Sequence, residues 1–289
     1  GIVLTVTGIG FKLGVVPFHL WTPDVYEGAP APVAAFVATT SKTAVVALLL
    51  RYFYFSGALG YRTIFLVLSI IAIASMCAGN LLALAQTNVK RILAYSSIAH
   101  FGYILVAFLA GGALVETMAI EAVSFYLVAY TVTILAAFGI VTVLSGSERD
   151  ADNIEDYHGL FWRRPVMATV FTAALLSLAG IPATMGFVGK FYVLAAGAAA
   201  AAWPLIIILV VTSVAGLFYY LRIVVALFSI PREHALVQTV SRSGAFVPVV
   251  LSILLIWFGV YPTPLLNLIR ITMAPGDAKS VSLITKVSR

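Results

Sequence analysis

Charge is what this sequence has least of. Its 289 residues carry 17 basic and 11 acidic side chains, so only 10% of the chain is charged, where about 25% is usual in soluble domains. These 28 charges cannot cover a water-soluble body of this length, so lipid must be much of the solvent. There is one cysteine, Cys77, inside an apolar run. A disulfide framework, an iron–sulfur cluster and a cysteine-based zinc site are therefore excluded. No spacing of His, Cys, Asp and Glu resembles a zinc or haem site. No segment is of low complexity, and the longest polar stretch, Ser145 to Arg164, spans only 20 residues. What is abundant is apolar: 62% of residues, with a mean hydropathy of +1.08.

A membrane span needs about 20 mostly apolar residues. Eight such runs are present, at 2–20, 32–55, 63–85, 92–111, 119–144, 166–199, 204–229 and 245–269. The fold expected is an all-α polytopic membrane protein of about eight transmembrane helices, two of them broken. The first contains Gly14 and Pro17. The sixth, too long for one plain helix, contains Gly180-Ile181-Pro182 followed by Gly186 and Gly189. Glycine and proline interrupt helices for opposite reasons, one by conformational freedom and the other by a missing N–H.

The connections alternate between two faces. Loops near 21–31, 86–91, 145–165 and 230–244 carry Lys90, Arg91, Arg149, Arg163, Arg164, Arg232 and Arg242. The opposite face has short loops with Arg62, Arg51 close by, and a tail with Arg270, Lys279, Lys286 and Arg289. The short-loop asymmetry places the first set in the cytoplasm. The net charge of +6 thus concerns bilayer orientation rather than nucleic acid. The chain opens at Gly1 inside an apolar run without a signal peptide, and the expectation is the C-terminal part of a longer polytopic protein.

The informative residues are those in costly positions. Lys12, Lys42 and Lys190 fall within expected spans, each flanked by apolar residues on both sides. A charged lysine at a helix centre costs about 2.5–3.5 kcal/mol, so three facing lipid would cost roughly 8–10 kcal/mol. A hydrated or paired interior is expected around them. Lysine suits proton handling because burial disfavours its charged form and a carboxylate restores it, whereas arginine stays protonated. The plainer reading is a static ion pair joining two helices. Lys12 lies five residues before Pro17, and Lys190 eight after Pro182. Broken helices beside intramembrane charges commonly mark ion sites.

Histidine can relay protons at physiological pH. His100 lies within Ser96-Ser97-Ile98-Ala99-His100-Phe101-Gly102-Tyr103, and His19 follows Pro17. His158 and His234 fall in loops and read as solvated. Asp24 and Glu27 flank the turn from Trp21 to Pro32 and, with His19, are candidates for proton uptake or gating, although a solvated loop is the plainer reading. Glu121 begins the fifth span, where a carboxylate suits the helix dipole. Arg222 is expected to snorkel or pair. The run Glu148–Asp156, ending in Trp162-Arg163-Arg164, reads as an interfacial loop with its anchor. No carboxylate sits at mid-span to partner Lys12.

The stretch Phe11-Lys12-Leu13 through Pro17-Phe18-His19-Leu20-Trp21-Thr22-Pro23-Asp24-Val25-Tyr26-Glu27-Gly28-Ala29-Pro30 resembles the subunit N family of bacterial respiratory complex I, the proton-translocating NADH:quinone oxidoreductase. Thr40-Ser41-Lys42, Asn88-Val89-Lys90-Arg91-Ile92-Leu93-Ala94-Tyr95-Ser96-Ser97-Ile98-Ala99-His100, Ser177-Leu178-Ala179-Gly180-Ile181-Pro182 and Gly186-Phe187-Val188-Gly189-Lys190-Phe191-Tyr192 extend the resemblance over essentially the whole chain. It implies one antiporter-like transmembrane domain over 1–289, the last eight helices of a subunit of about fourteen. It also implies pairing of Lys12 with a fifth-helix glutamate that this chain lacks, and proton translocation through Lys12, Lys42, Lys190 and His100. No cofactor is expected on the chain itself. NADH, flavin, iron–sulfur clusters and quinone would belong to partner subunits or elsewhere in the complex, and the location would be the bacterial inner membrane. The alternatives are a subunit of a multisubunit cation/proton antiporter, and a structural scaffold whose lysines merely pair.

Overall fold

The computed structural model of the chain describes residues 1–111, 115–146, 149–230 and 242–273. Glu148, Arg232, His234, Lys279, Lys286 and Arg289 lie outside the described residues, as does the side chain of Arg242. In lipid a backbone must satisfy its own polar groups, and helices do so within one segment. The helices are α1 (Ile2–Leu13), α2 (Trp21–Gly28), α3 (Ala31–Phe36), α4 (Lys42–Ser56), α5 (Arg62–Leu84), α6 (Val89–Ala110) and α7 (Glu116–Leu144). They continue with α8 (Leu160–Arg163), α9 (Pro165–Ala179), α10 (Met185–Ala199), α11 (Trp203–Phe228), α12 (Arg242–Val260) and α13 (Thr263–Met273). A π-helical turn, Val37–Ser41, joins α3 to α4 and makes Ala31–Tyr54 one continuous helix.

The eight apolar runs divide into two kinds. Among the described residues, five helices are each long and apolar enough to cross a bilayer: Ala31–Tyr54, α5, α6, α7 and α11. The other three runs are built of shorter pieces. Run 2–20 is helical only to Leu13, where Gly14 adopts a left-handed φ of 70°. Run 166–199 is α9 and α10, parted at 180–184. Run 245–269, expected to be unbroken, is instead bent by 88° between Gly244–Val260 and Thr263–Thr272, and the pair makes a sixth crossing when taken as one span. Pro262 and Pro264 account for the bend, since each removes a backbone donor. The segment after Trp21, expected to be a turn, is the helix α2.

Helix α6 is the centre of the bundle. Of its residues only Arg91 and Tyr95 are not buried, the pattern of a helix enclosed on every side. Helices α2, α5, α7, α10 and α11 surround it. Two glycines let α5 and α6 touch closely: a Cβ on Gly79 would lie 2.6 Å from the Ala99 nitrogen, and one on Gly102 would lie 2.7 Å from Met76 Cγ. Small residues serve helix contacts in membranes in this way.

The polar loops gather at one end of the bundle. Asn88 caps α6 by accepting from the Arg91 amide at 3.1 Å and bridges to Asn153. Arg91 Nη1 lies 2.8 Å from Asp24 Oδ1 and 2.6 Å from Glu27 Oε2. Lys90 Nζ donates to Asp150 Oδ2 at 2.7 Å and to the Ala29 carbonyl at 3.0 Å. Loops 21–31, 86–91 and 145–165 therefore share one face. At the other end, Arg270 forks onto Glu121 at 2.9 and 3.0 Å. At the polar-loop end, Arg222 donates to the carbonyls of Leu84 and Gln86.

Candidate functional site

Two helices bring charge into the bundle without a counter-charge among the described residues. Lys42, at the start of α4 directly after the π turn, is fully buried. Its Nζ donates to Ser97 Oγ of α6 at 2.9 Å and stands over the Phe101 ring at 4.8 Å and the Tyr26 ring at 5.6 Å. Lys190, on α10, is 8% exposed. Its Nζ donates to the Leu178 carbonyl at 3.0 Å, the Ala179 carbonyl at 2.8 Å and Ser213 Oγ at 2.8 Å. Tyr103 holds it from another side, with the ring centroid 5.4 Å from Nζ. Among the described residues neither lysine forms an ion pair.

The helix breaks explain how an unpaired ammonium is tolerated. Helix α9 stops at Gly180, whose φ is 83°, and its last carbonyls are left without helical donors. The negative end of the helix dipole favours a cation at that point. Lys190 fills the gap so closely that a Cβ on Gly180 would lie 2.8 Å from its Cδ and 3.1 Å from its Nζ. Gly180 is thus required twice, for its left-handed backbone and for the approach of the lysine. Pro182 is exposed within the break. The first break also ends on a left-handed glycine near a buried lysine, but that lysine bonds Ser97 and not the carbonyls of α1. Gly14 ends α1, and a Cβ there would lie 3.6 Å from Lys42 Nζ. Pro17 follows in the non-helical turn.

This pairing of break and lysine differs from the sequence expectation. Spacing along the chain coupled the first break to Lys12, but Lys12 lies on the exposed face of α1. The lysine at the break is Lys42, 28 residues further on in the numbering, brought there by α4. Of the three lysines expected inside, the bundle encloses two, and the paired or hydrated interior expected around Lys12 is not supplied by the described residues. The resemblance places the partner of Lys12 on a helix that this sequence does not contain.

His100 sits on α6 between the two buried lysines in a band of hydroxyl groups. Its Nδ1 is 2.8 Å from the Tyr126 hydroxyl of α7, and its Nε2 is 3.2 Å from the Tyr220 hydroxyl of α11. The rings of Tyr103 and Tyr130 lie 5.5 and 5.6 Å from the imidazole. The Tyr130 hydroxyl donates to Ser97 Oγ at 2.7 Å, so that oxygen accepts from Tyr130 and Lys42 together. Asn80 of α5 donates to the Tyr103 hydroxyl at 2.9 Å and accepts from the Tyr219 hydroxyl at 3.1 Å. Buried amides and phenols need such partners.

Of the residues in this band, sequence reasoning singled out Lys42 and Lys190 by the cost of their position, and His100 as a relay group beside serines and Tyr103. It missed Asn80, Tyr126, Tyr130, Tyr220 and Ser213. Asn80 was the visible signal, a polar amide inside a 23-residue apolar helix. Asp24 and Glu27 are not in this band but at the polar end, on α2, both held by Arg91. His19 lies beside them in the chain, partly buried, with its Nδ1 making no hydrogen bond among the described residues. Among the described residues no cluster of three or more His, Cys, Asp or Glu is placed to hold a metal ion.

A family model for "NADH:quinone oxidoreductase/Mrp antiporter, TM" matches residues 1–216. NADH-quinone oxidoreductase subunit N of Ectopseudomonas mendocina is 52% identical over 276 residues, which are 93% of this chain and 55% of the relative. Subunit N of Methylococcus capsulatus is 48% identical over 267 residues, 92% of this chain and 54% of the relative. The chain therefore spans about half the length of these curated relatives. A chain of respiratory complex I from Thermus thermophilus, solved with bound aureothin, superposes with a TM-score of 0.79 at 35% identity. The match covers 91% of this chain and 57% of that one.

Proposed function

Because the chain belongs to the membrane family shared by NADH:quinone oxidoreductases and Mrp antiporters, we propose that it acts as a proton-translocating membrane subunit of an NADH:quinone oxidoreductase. The observation that carries this reading is the pair of buried lysines, Lys42 and Lys190, each set against a glycine-terminated helix end and separated by His100 and its hydroxyls. A buried ammonium without a carboxylate partner is costly, and lysine, unlike arginine, can exist without its proton. Serine and tyrosine hydroxyls both donate and accept, so they suit proton passage between such groups. Water would complete the steps where no direct hydrogen bond links one residue to the next.

In this reading residues 1–289 form one antiporter-like unit in the bacterial inner membrane, beside other membrane subunits of the complex. Quinone reduction and its cofactors belong to partner subunits, and no redox group is assigned to this chain. Asp24, Glu27 and His19 stand at the polar face as the proton uptake or gating group, with Arg91 holding the two carboxylates. Lys12, facing outward on α1, would take a carboxylate from a neighbouring helix, as the family resemblance implies.

A second reading, a subunit of a cation/proton antiporter, is favoured by the shared family model. A metal cation is held by several converging oxygen ligands, carboxylates or freed carbonyls, and is repelled by neighbouring ammonium groups. The buried band offers hydroxyls, an imidazole and two ammonium groups, so it suits protons better. Isolation of the parent subunit from membranes by an affinity tag separates the two. Co-purification of NADH:quinone reductase activity is expected. Recovery with sodium/proton exchange activity and no reductase would overturn the proposal.

A further inference from the structure

His100 has an unusual setting for a relay group: both ring nitrogens face phenols and neither faces a carboxylate. All three side chains are nearly completely enclosed, with His100 4%, Tyr126 2% and Tyr220 1% exposed. They come from three different helices, α6, α7 and α11. An imidazolium here would be a buried cation without a counter-ion among the described residues, and Lys190 would oppose it from across Tyr103. Burying a charge in that manner is costly.

We propose that Tyr126 and Tyr220 carry the proton to and from His100, and that the imidazole passes it by exchanging tautomers rather than by holding a charge. This rests on His100 belonging to the proton path. A neutral imidazole has one N–H and one bare nitrogen, so one tyrosine donates to it while the other accepts. In the transfer, the O–H bond of the first tyrosine breaks and its proton forms a new N–H bond at the bare nitrogen. The N–H bond at the other nitrogen breaks, and that proton passes to the oxygen of the second tyrosine. The first hydroxyl is refilled from its far side, and the second gives up its original proton on its own far side. One proton enters, one leaves, and the ring ends neutral in the opposite tautomer. Rotation of the two hydroxyls, and a bridging water that takes the proton from the newly protonated nitrogen as it gives one to the bare nitrogen, return the ring to its first tautomer and reset the wire.

The neighbours on each side fit this direction of travel. Tyr130 follows Tyr126 by one helical turn on α7, and it is bonded to Ser97, which Lys42 also reaches. On the other side the Tyr220 ring lies 4.3 Å from Tyr219. That residue leads through Asn80 to Tyr103, beneath Lys190. Tyrosine is needed rather than phenylalanine at 126 and 220 because the proton must pass through the hydroxyl oxygen.

The test uses the assembled complex in proteoliposomes, with proton uptake measured against NADH oxidation. Tyr126→Phe and Tyr220→Phe each keep the ring and lose the hydroxyl. Each is expected to lower proton uptake about ten-fold or more, to the level of His100→Ala, and the double variant should fall no further. Tyr54→Phe, which removes a hydroxyl bonded to the Phe108 carbonyl away from His100, should pump normally. Normal pumping by both phenylalanine variants, with pumping lost in His100→Ala, would overturn the tyrosine wire and leave His100 in the path. Normal pumping by His100→Ala overturns both. If a phenylalanine variant does not assemble, difluorotyrosine at the same position keeps the bond and makes the phenol more acidic. A changed pumping rate then supports passage through the hydroxyl, and an unchanged rate overturns it.

Discussion

Substitution of Gly180 by alanine tests whether a broken helix end cradles Lys190. The glycine has a φ of 83°, and a side chain in that left-handed region costs about 1–2 kcal/mol. The added Cβ would stand 2.8 Å from Lys190 Cδ, too close for both to stay. The lysine must withdraw from the carbonyls of Leu178 and Ala179, which it now reaches at 3.0 and 2.8 Å. Losing one such charged hydrogen bond costs about 1.5–3 kcal/mol. Strain and lost bond together lower stability by about 2.5–5 kcal/mol, but only the lost bond bears on where the lysine sits, and every 1.4 kcal/mol is about ten-fold in population. The docked lysine should therefore become more than about ten-fold rarer. The assay is proton uptake per NADH oxidised by the assembled complex, alongside its melting temperature in detergent. Uptake should fall about ten-fold, and the complex should melt earlier. Gly57→Ala supplies the control, because Gly57 has a φ of 64° with no atom near its would-be Cβ. It should carry the strain alone and pump normally. If Gly180→Ala melts and pumps like the unsubstituted complex, the break does not hold Lys190 as argued.

Two further outcomes follow from the packing. Ser97→Ala strands the Lys42 ammonium and the Tyr130 hydroxyl together, each a buried donor worth about 1–3 kcal/mol when unpaired. A lower melting temperature and reduced proton uptake are expected, and an unchanged melting temperature would show that neither group relies on Ser97. Gly79→Val would drive side-chain atoms onto the backbone of Tyr95 and Ala99, already within 2.7 Å of a single Cβ. Overpacking costs about 1–3 kcal/mol or more, so native gels should show little assembled complex. Gly8→Val, at a position with open space, should assemble normally.

Much of this was legible in the sequence because lipid imposes strict rules. Few charges and long apolar runs required helices, and the cost of an ion in hydrocarbon singled out Lys42 and Lys190 before any contact was known. Gly180 and Pro182 marked the break in the sixth run. Pro262 and Pro264 carry an equal signal for the last run, but apolar length alone does not distinguish a straight helix from a bent pair. The outward face of Lys12 and the meeting of Gly14 with Lys42 are products of tertiary packing, to which spacing within one helix is blind. The tyrosines around His100 were hidden for another reason. A tyrosine in an apolar run serves equally as an interface anchor, a core aromatic or a hydrogen-bonding partner, and only the positions of α7 and α11 decide among these.

The central claim is that Lys42 and Lys190 move protons rather than merely join helices. The most direct test is the number of protons translocated per electron pair by assembled complexes carrying Lys42→Ala or Lys190→Ala, measured at matched rates of NADH oxidation. The account predicts a lower ratio in both, with assembly retained. Two assembled complexes with the unsubstituted ratio would contradict it and leave the lysines a structural role.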